Sequence, residues 1–425
     1  MEEITMTELA RLKLARASRE WFSDSELASS ADAYARFLSV QGYAPQTVQI
    51  YLESVAHFAH WCARHCIGLF EIDETAVERF LSRHLPRCCC AERCQRTRPT
   101  AAAALSHLLH LLRIENRIPP KKSPDPAAVS DEIHRFDHYL RQVCGLKPAT
   151  CDDRLRHVRF FLLDRFAAGS IRINLLKPSD VIRFISKYTQ RWIASSKRHA
   201  GNSLRSYFRF KALHGENTAG LIAAIPIVAQ WRLARLPKGI SVDQTNQLLK
   251  AFDRNSPTGK RDYAITRCFV DLGLRTNEVA DLRLDDIDWR QGLLSIRGKG
   301  RRVDILPLPQ ATGRAIVAYL RHGRPQTSSR ALFLRHHPPL HTPATSGVIR
   351  AAVRCAARRC GVEECFHGPQ ILRHTLAERL VQRATPLKQI ADLLRHRSLD
   401  TTAIYAKVDL PALSRVALPW PGRQL

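Results

Sequence analysis

The chain has 425 residues, 45% of them hydrophobic, and its 66 Lys and Arg against 39 acidic residues give a formal net charge of +27. That length suits roughly two to four domains, each with an ordinary core, which excludes wholesale disorder. A basic excess spread along the whole chain predicts attraction to a polyanion, nucleic acid before all others. An anionic membrane surface is the rival, weakened because no sustained basic amphipathic helix stands apart from globular sequence.

The opening Met1-Glu2-Glu3-Ile4-Thr5 is acidic and lacks the apolar stretch of a secretory signal. The most apolar run, Leu221 to Trp231, is too short to span a bilayer and contains Pro226. A cytoplasmic protein is expected, with its 12 Cys as reduced thiols and not a disulfide framework.

Residues 1–22 read as a short, partly helical leader. Residues 23–118 read as a helical domain. Tyr34, Phe37 and Leu38 precede Gly42-Tyr43-Ala44-Pro45-Gln46-Thr47, and Tyr51, Val55, Phe58 and Trp61 then recur at helical spacing. Gly42 suits a helix end, and Pro45 the start of the next helix. Further helices are predicted around Val77 to Leu81 and from Ala101 to Ile114. The Pro- and Lys-rich residues 119–126 are a linker by composition.

The same design recurs over residues 127–236. Phe136, Tyr139 and Leu140 precede Gly145-Leu146-Lys147-Pro148-Ala149-Thr150, followed by Val158, Phe160, Phe161 and Leu163. The segment from Ser195 to Leu213 answers Ala101 to Ile114. The paired Gly-x-x-Pro-x-Thr steps point to a tandem duplication with a period of about a hundred residues, right for two small helical domains. A third domain, residues 238–425, opens where Ser241-Val242-Asp243-Gln244 has the spacing of a helix-capping box.

Cysteines cluster in the first helical segment. Cys62-x3-Cys66 and Cys90-x3-Cys94 could offer four thiolates to a structural zinc, with His60 and His65 nearby. There is no clean Cys-x-x-Cys pair, and half-buried thiols are ordinary on a helix. No metal and no cofactor is therefore assigned.

Four segments of the third domain carry the chemistry. Gly273-Leu274-Arg275-Thr276-Asn277-Glu278 closes one apolar helix and opens another, so Glu278 can hold Arg275 while its guanidinium faces out. Leu293 to Leu308 reads as a β-hairpin with Lys299 between two glycines at its tip. Gly368-Pro369-Gln370-Ile371-Leu372-Arg373-His374-Thr375 opens a helix with Arg373 near its N-terminal end, where an anion is favoured. Last, His396 ends a short apolar helix, and Tyr405 follows a Ser-, Asp- and Thr-rich turn. Tyr405 has polar and basic neighbours (Arg395, Arg397, Lys407) and does not read as a core tyrosine.

In this order and combination the segments resemble the tyrosine recombinase (phage integrase) family. The likeness is strong over Lys238 to Asp409 and looser over the helical repeats, which resemble SAM-like core-binding domains. It implies a mainly α fold with a small β-sheet in the catalytic domain, preceded here by two helical domains. It also implies a site-specific recombinase or integrase of a mobile element, acting near the nucleoid on double-stranded DNA held in a clamp. A homo-tetramer on paired sites is implied, with partner recombinases as an option.

The resemblance further implies that Tyr405 attacks the scissile phosphate to give a 3′-phosphotyrosyl link. Arg275 and Arg373 would clamp the non-bridging oxygens, and Lys299 would protonate the departing 5′-oxygen. His396 would donate to a non-bridging oxygen, and Glu278 would support Arg275. Gln370 stands where the family usually has a histidine, and it cannot accept the tyrosine proton. His374 is expected to be structural. An inert DNA-binding accessory subunit and a type IB topoisomerase-like enzyme are the alternatives. Lys187, Arg191, Lys197 and Arg198 are candidate DNA-backbone contacts. The tail from Leu410 to Trp420 has spacing suited to docking on a neighbouring protomer or within its own domain.

Overall fold

The computed structural model describes residues 14–90, 97–121, 125–166, 169–227, 239–298, 302–396, 398 and 401–406. They fall into two compact units. One joins the residues up to Ile118 with those from Leu233 onward; the other runs Pro119–Arg232. Among the described residues no helix is long and apolar enough to cross a membrane.

The first unit begins with a helical bundle: α1 (Arg16–Ser23), α2 (Ala28–Val40), α3 (Pro45–Arg64), α4 (Glu74–Arg79) and α5 (Arg98–Ile114). Gly42 takes φ +83° after α2, a conformation that costs glycine little, and Pro45 opens α3. Asp73 caps α4 by accepting from the Thr75 and Ala76 amides at 2.9 Å. The chain runs from α4 directly into a π turn, Phe80–His84. Tyr34, Leu38, Leu52, Phe58, Phe80 and Leu105 fill the core, where the Tyr34 hydroxyl donates to the Ala104 carbonyl at 2.8 Å. The stretch read as a short, partly helical leader forms α1, which buries Phe22 in this core.

The four-cysteine arrangement that spacing offered, and that was not assigned, has Cys62 and Cys66 in different surroundings. Cys62 lies in the bundle core, where burial pushes its thiol up to about 12, and Cys66 is exposed. Cys62 joins the core cluster that also holds Phe58, Trp61 and Phe80. Cys94 lies outside the described residues.

The second unit repeats the helix order with α6 (Ala127–His138), α7 (Pro148–Phe166), α8 (Pro178–Tyr188), α9 (Ala194–Leu213) and a short α10 (Ala219–Ala223). Gly145 again has positive φ, at +59°, and Pro148 opens the following helix. Phe136, Val158, Phe161, Phe184, Leu204 and Phe208 form its core. Buried Glu132 is held by the Tyr207 hydroxyl at 2.8 Å and by Lys211 at 3.0 Å.

The C-terminal part of the first unit has its own core, built on Ile265, Phe269, Ile316, Tyr319, Phe333 and Val353. Its elements are α11 (Val242–Lys250), α12 (Pro257–Leu272), α13 (Thr276–Ala280), β1 (Ile287–Asp288), β2 (Leu293–Arg297), β3 (Val303–Pro307), α14 (Gln310–His322) and α15 (Ser346–Arg359). Among the described residues α16 (Gln370–Gln382), α17 (Leu387–Leu394) and α18 (Ala403–Ala406) follow. The Ser241 hydroxyl and Gln244 side chain cap α11 reciprocally, at 3.0 and 2.9 Å. The strands form an antiparallel sheet in the order β1-β2-β3, with Ser295 opposite Ile305. A mainly helical chain with one small sheet is the fold class expected. The two halves of this unit meet where the Leu340 amide donates to the Gln41 carbonyl at 2.9 Å.

Candidate active site

Three helix ends converge in the C-terminal body. Gly273 ends α12 in the left-handed conformation (φ +56°), and a Cβ there would lie 2.8 Å from Leu394 Cδ2. Glycine thus allows both the turn and the close approach of α17. Arg275 follows in extended backbone and precedes α13. The Glu278 carboxylate reaches back to the Arg275 amide at 2.8 Å and accepts from its Nη1 at 2.7 Å. The Arg275 side chain stays 44% exposed. An acid that fixes the guanidinium while leaving its outer edge open is the arrangement expected for this pair.

Arg373, in the first turns of α16, is only 1% exposed. Its Nη1 donates to the Gly273 carbonyl at 2.5 Å and its Nη2 to the Leu394 carbonyl. Those carbonyls terminate α12 and α17, where the helix dipole favours a cation. A guanidinium carries five donors, so two carbonyl bonds leave the fork with capacity for a ligand. Burial, then Arg275 and Arg395, pull the Arg373 pKa down to about 9.

Arg395 is a third guanidinium in the same place. It ends α17 in the left-handed conformation (φ 54°) and its Nη2 donates to Glu278 Oε2 at 2.8 Å. Burial lowers its pKa, and Glu278 partly offsets that. Burial pushes Glu278 up, but Arg395 and Arg275 outweigh it and hold the carboxyl below its ordinary value. Arg275 and Arg395 therefore share one carboxylate, with Arg373 held beside them by backbone carbonyls. A partly buried site with surplus positive charge and spare donors is built for an anion.

His396 and Tyr405 complete the cluster. His396 Nδ1 lies 2.7 Å from the buried Thr402 hydroxyl, and burial followed by Arg373 lowers its pKa to about 4. A Thr402 hydroxyl that donates to Nδ1 of the neutral ring would leave the proton on Nε2 to donate elsewhere. Tyr405 lies on α18 and is 2% exposed, packed with Ala377, Val381, Ile390 and Leu394. This corrects the expectation from its polar neighbours in sequence, because α18 docks on α16 and carries the ring inward. The phenol meets His374 Nδ1 at 2.7 Å. Burial raises the Tyr405 pKa to about 12, with Arg373 and Arg275 close enough to pull against the rise.

Residues 238–410 match the phage integrase family. A Sinorhizobium fredii chain named as an integrase/recombinase, y4rA, is 36% identical over 391 residues, covering 92% of this chain and 93% of its own length. The chain belongs to the phage integrase family. Tyrosine recombinase XerD of Listeria monocytogenes is 29% identical over 66% of this chain and 95% of its own. The crystal structure of XerH site-specific recombinase bound to palindromic difH substrate shares the fold, with a TM-score of 0.54 and 18% identity over 82% of this chain and 97% of that one. A Tn1549 transposon integrase in complex with transposon right end DNA aligns at a TM-score of 0.50, with 15% identity over 67% of this chain and 99% of its own.

Within this integrase fold the residues singled out from sequence separate clearly. Arg275, Glu278, Arg373, His396 and Tyr405 form one constellation. Lys299 lies outside the described residues, although β2 and β3 pair as the predicted hairpin and Gly298 donates to the Arg302 carbonyl at 2.8 Å. Gln370 begins α16 with its side chain exposed. Lys187, Arg191, Lys197 and Arg198 lie in the Pro119–Arg232 unit, with Lys187 3.4 Å from Asp164. The tail from Leu410 to Trp420 is outside the described residues.

Sequence reasoning missed Arg395 and Thr402 as partners in the site and did not foresee the contact of His374 with Tyr405. A basic residue immediately before His396 and a histidine immediately after Arg373 were the available signals.

Proposed function

We propose that this integrase is a site-specific DNA recombinase that cuts and rejoins strands through Tyr405, in the integration or transposition of a mobile element. The observation that carries the reading is the hydrogen-bonded Tyr405–His374 pair beside Arg373 and beside the two arginines, Arg275 and Arg395, that share the Glu278 carboxylate. The Tyr405 oxygen attacks the scissile phosphorus, the bond to the 5′-oxygen breaks, and a 3′-phosphotyrosyl bond forms. The phenolic proton passes to His374 Nδ1, the acceptor already in contact with it. Arg275 and Arg373 hold the non-bridging oxygens, Arg395 and Glu278 position Arg275, and His396 donates from Nε2. Lys299 protonates the departing 5′-oxygen.

One ester is exchanged for another, so the bond is conserved in the covalent intermediate and rejoining is the reverse displacement. His374 supplies the proton acceptor that Gln370 cannot be. The net charge of +27 supports wide contact with a duplex, with Lys187, Arg191, Lys197 and Arg198 as backbone contacts. A homo-tetramer on paired sites, acting at the nucleoid, is the assembly and location this reading carries.

A nicked suicide substrate carrying the element's ends tests it. The wild type is expected to accumulate a covalent protein–DNA adduct, and Tyr405→Phe to bind the same DNA without one. Binding with no adduct from the wild type would leave an accessory DNA-binding subunit. Efficient relaxation of plasmids without paired sites would favour a topoisomerase.

A further inference from the structure

The helical bundle of residues 14–118 holds a second cluster of chemical groups, unrelated to the phosphodiester site. His57 Nε2 lies 3.1 Å from His84 Nε2 and 3.2 Å from Cys88 Sγ, and Cys90 Sγ lies 3.7 Å from His84 Nε2. All four ligand atoms are within 4.8 Å of one another. A tetrahedral zinc with Zn–S of about 2.3 Å and Zn–N of about 2.0–2.1 Å has edges of roughly 3.3–3.8 Å. Two imidazole nitrogens and two sulfurs at these spacings can surround one ion with little movement.

We propose that His57, His84, Cys88 and Cys90 bind a zinc ion as a closed structural site. The donor set is two nitrogens and two sulfurs, which suits zinc over harder cations. With four protein ligands there is no position for substrate, so the role is architectural.

The surrounding chain is shaped for this. His57 projects from the middle of α3 and is buried, its ring held edge-on to Phe80 at 5.1 Å. His84 is the last residue of the π turn that follows α4, and its ring stacks on Phe80 at 5.4 Å. The wider π turn re-aims His84 toward α3, the kind of local departure that often marks a functional position. Cys88 and Cys90 follow a short 3₁₀ turn, Leu85–Arg87, and the Cys90 amide donates to Cys88 Sγ at 3.3 Å. Amide donation to a cysteine sulfur is the support a metal-bound thiolate uses. The ion would tie the segment after α4 to α3 without a disulfide. This departs from the expectation of no metal, and of the Cys62, Cys66, Cys90 and Cys94 set that spacing offered only Cys90 is among the ligands.

The test uses the full-length chain purified from zinc-supplemented cells. About one zinc per chain is expected to survive gel filtration, and its removal by a chelator to lower the thermal midpoint. Replacing zinc with Co²⁺ in the wild type should give the visible bands of tetrahedral cobalt with a thiolate charge-transfer band. The double variant Cys88→Ser/Cys90→Ser should lose both metal and spectrum, whereas Cys66→Ser/Cys89→Ser should keep them. Zinc retained in full by the Cys88→Ser/Cys90→Ser variant would overturn the assignment. So would a wild type that binds no zinc and shows no tetrahedral cobalt bands, leaving a hydrogen-bonded histidine pair beside two ordinary thiols. Should the double variant prove insoluble, the wild-type cobalt spectrum decides: a thiolate charge-transfer band supports the site and its absence overturns it.

Discussion

The Tyr405 phenol lies 2.7 Å from His374 Nδ1, across a sequence gap that no local pattern bridges. Burial, and then Arg373, lower the His374 pKa, so the ring is neutral and able to accept a proton at neutral pH. The base must be unprotonated to act. Cleavage is therefore expected to fall with acid only below the ordinary histidine value of about 6.5 and to be flat above it. His374→Gln keeps a hydrogen-bond acceptor but cannot take the proton. It should slow adduct formation by about 10²-fold or more, with DNA affinity unchanged and the acidic limb lost. Gln370→Ala should alter the rate by no more than a few fold, because Gln370 cannot take the tyrosine proton. Single-turnover cleavage across a pH series measures all of these.

Arg275 and Arg373 should respond differently to replacement. Arg275 is partly exposed and its hydrogen bonds run to Glu278, whereas Arg373 is buried and ties two helix ends. Arg275→Lys is expected to cut the cleavage rate by about 10²–10³-fold with little change in thermal midpoint. Arg373→Lys should cost both rate and stability. Paired cleavage and unfolding measurements separate the two outcomes.

Glu278 is the anion that the cluster is folded around. Glu278→Ala leaves two guanidinium groups without their carboxylate and should destabilise the C-terminal body by about 3 kcal/mol. The folded-state pKa of Glu278 is held below its unfolded value of about 4.3. Its contribution is thus complete above that unfolded value and disappears as pH falls through the folded one. Denaturant unfolding between neutral and acidic pH should show a wild-type loss that Glu278→Gln lacks.

Gly42 and Gly145 occupy equivalent turns but differ in surroundings. Both have positive φ, yet a Cβ on Gly42 would sit 2.3 Å from Leu340 Cδ1, while one on Gly145 meets nothing within 4 Å. Gly145→Ala should cost about 1–2 kcal/mol from backbone strain alone. Gly42→Ala should cost more, and shortening Leu340 to Ala should recover part of the difference. Thermal unfolding of the single and double variants checks this.

Much of the site was legible because its residues fall in short runs tied to helix ends. Gly273 through Glu278 and Gln370 through Thr375 each carry their own capping and apolar anchors, so Arg275, Glu278 and Arg373 could be named before any fold. The helix periodicities and the paired Gly-x-x-Pro turns likewise gave the bundles. What could not be read depends on docking. Tyr405 has polar neighbours in sequence but is buried because α18 packs on α16. Arg395 joins the cluster only because a left-handed residue ends α17 and turns its side chain toward Glu278. The cysteine spacing was uninformative for a related reason. Periodicity placed Cys62 on a helix but could not say that it would be buried, while the turn after α4 brought His84 to His57.

The Leu340 amide meets the Gln41 carbonyl across most of the chain's length. On the ribosome the α2–α3 turn is made long before the loop that seals it, and the whole Pro119–Arg232 unit is synthesised in between. The early bundle must therefore wait with that face open while the middle unit folds. Nascent-chain arrest should thus reveal two helical bodies in order, with the N-terminal one reaching full protease resistance only after residue 340 has emerged.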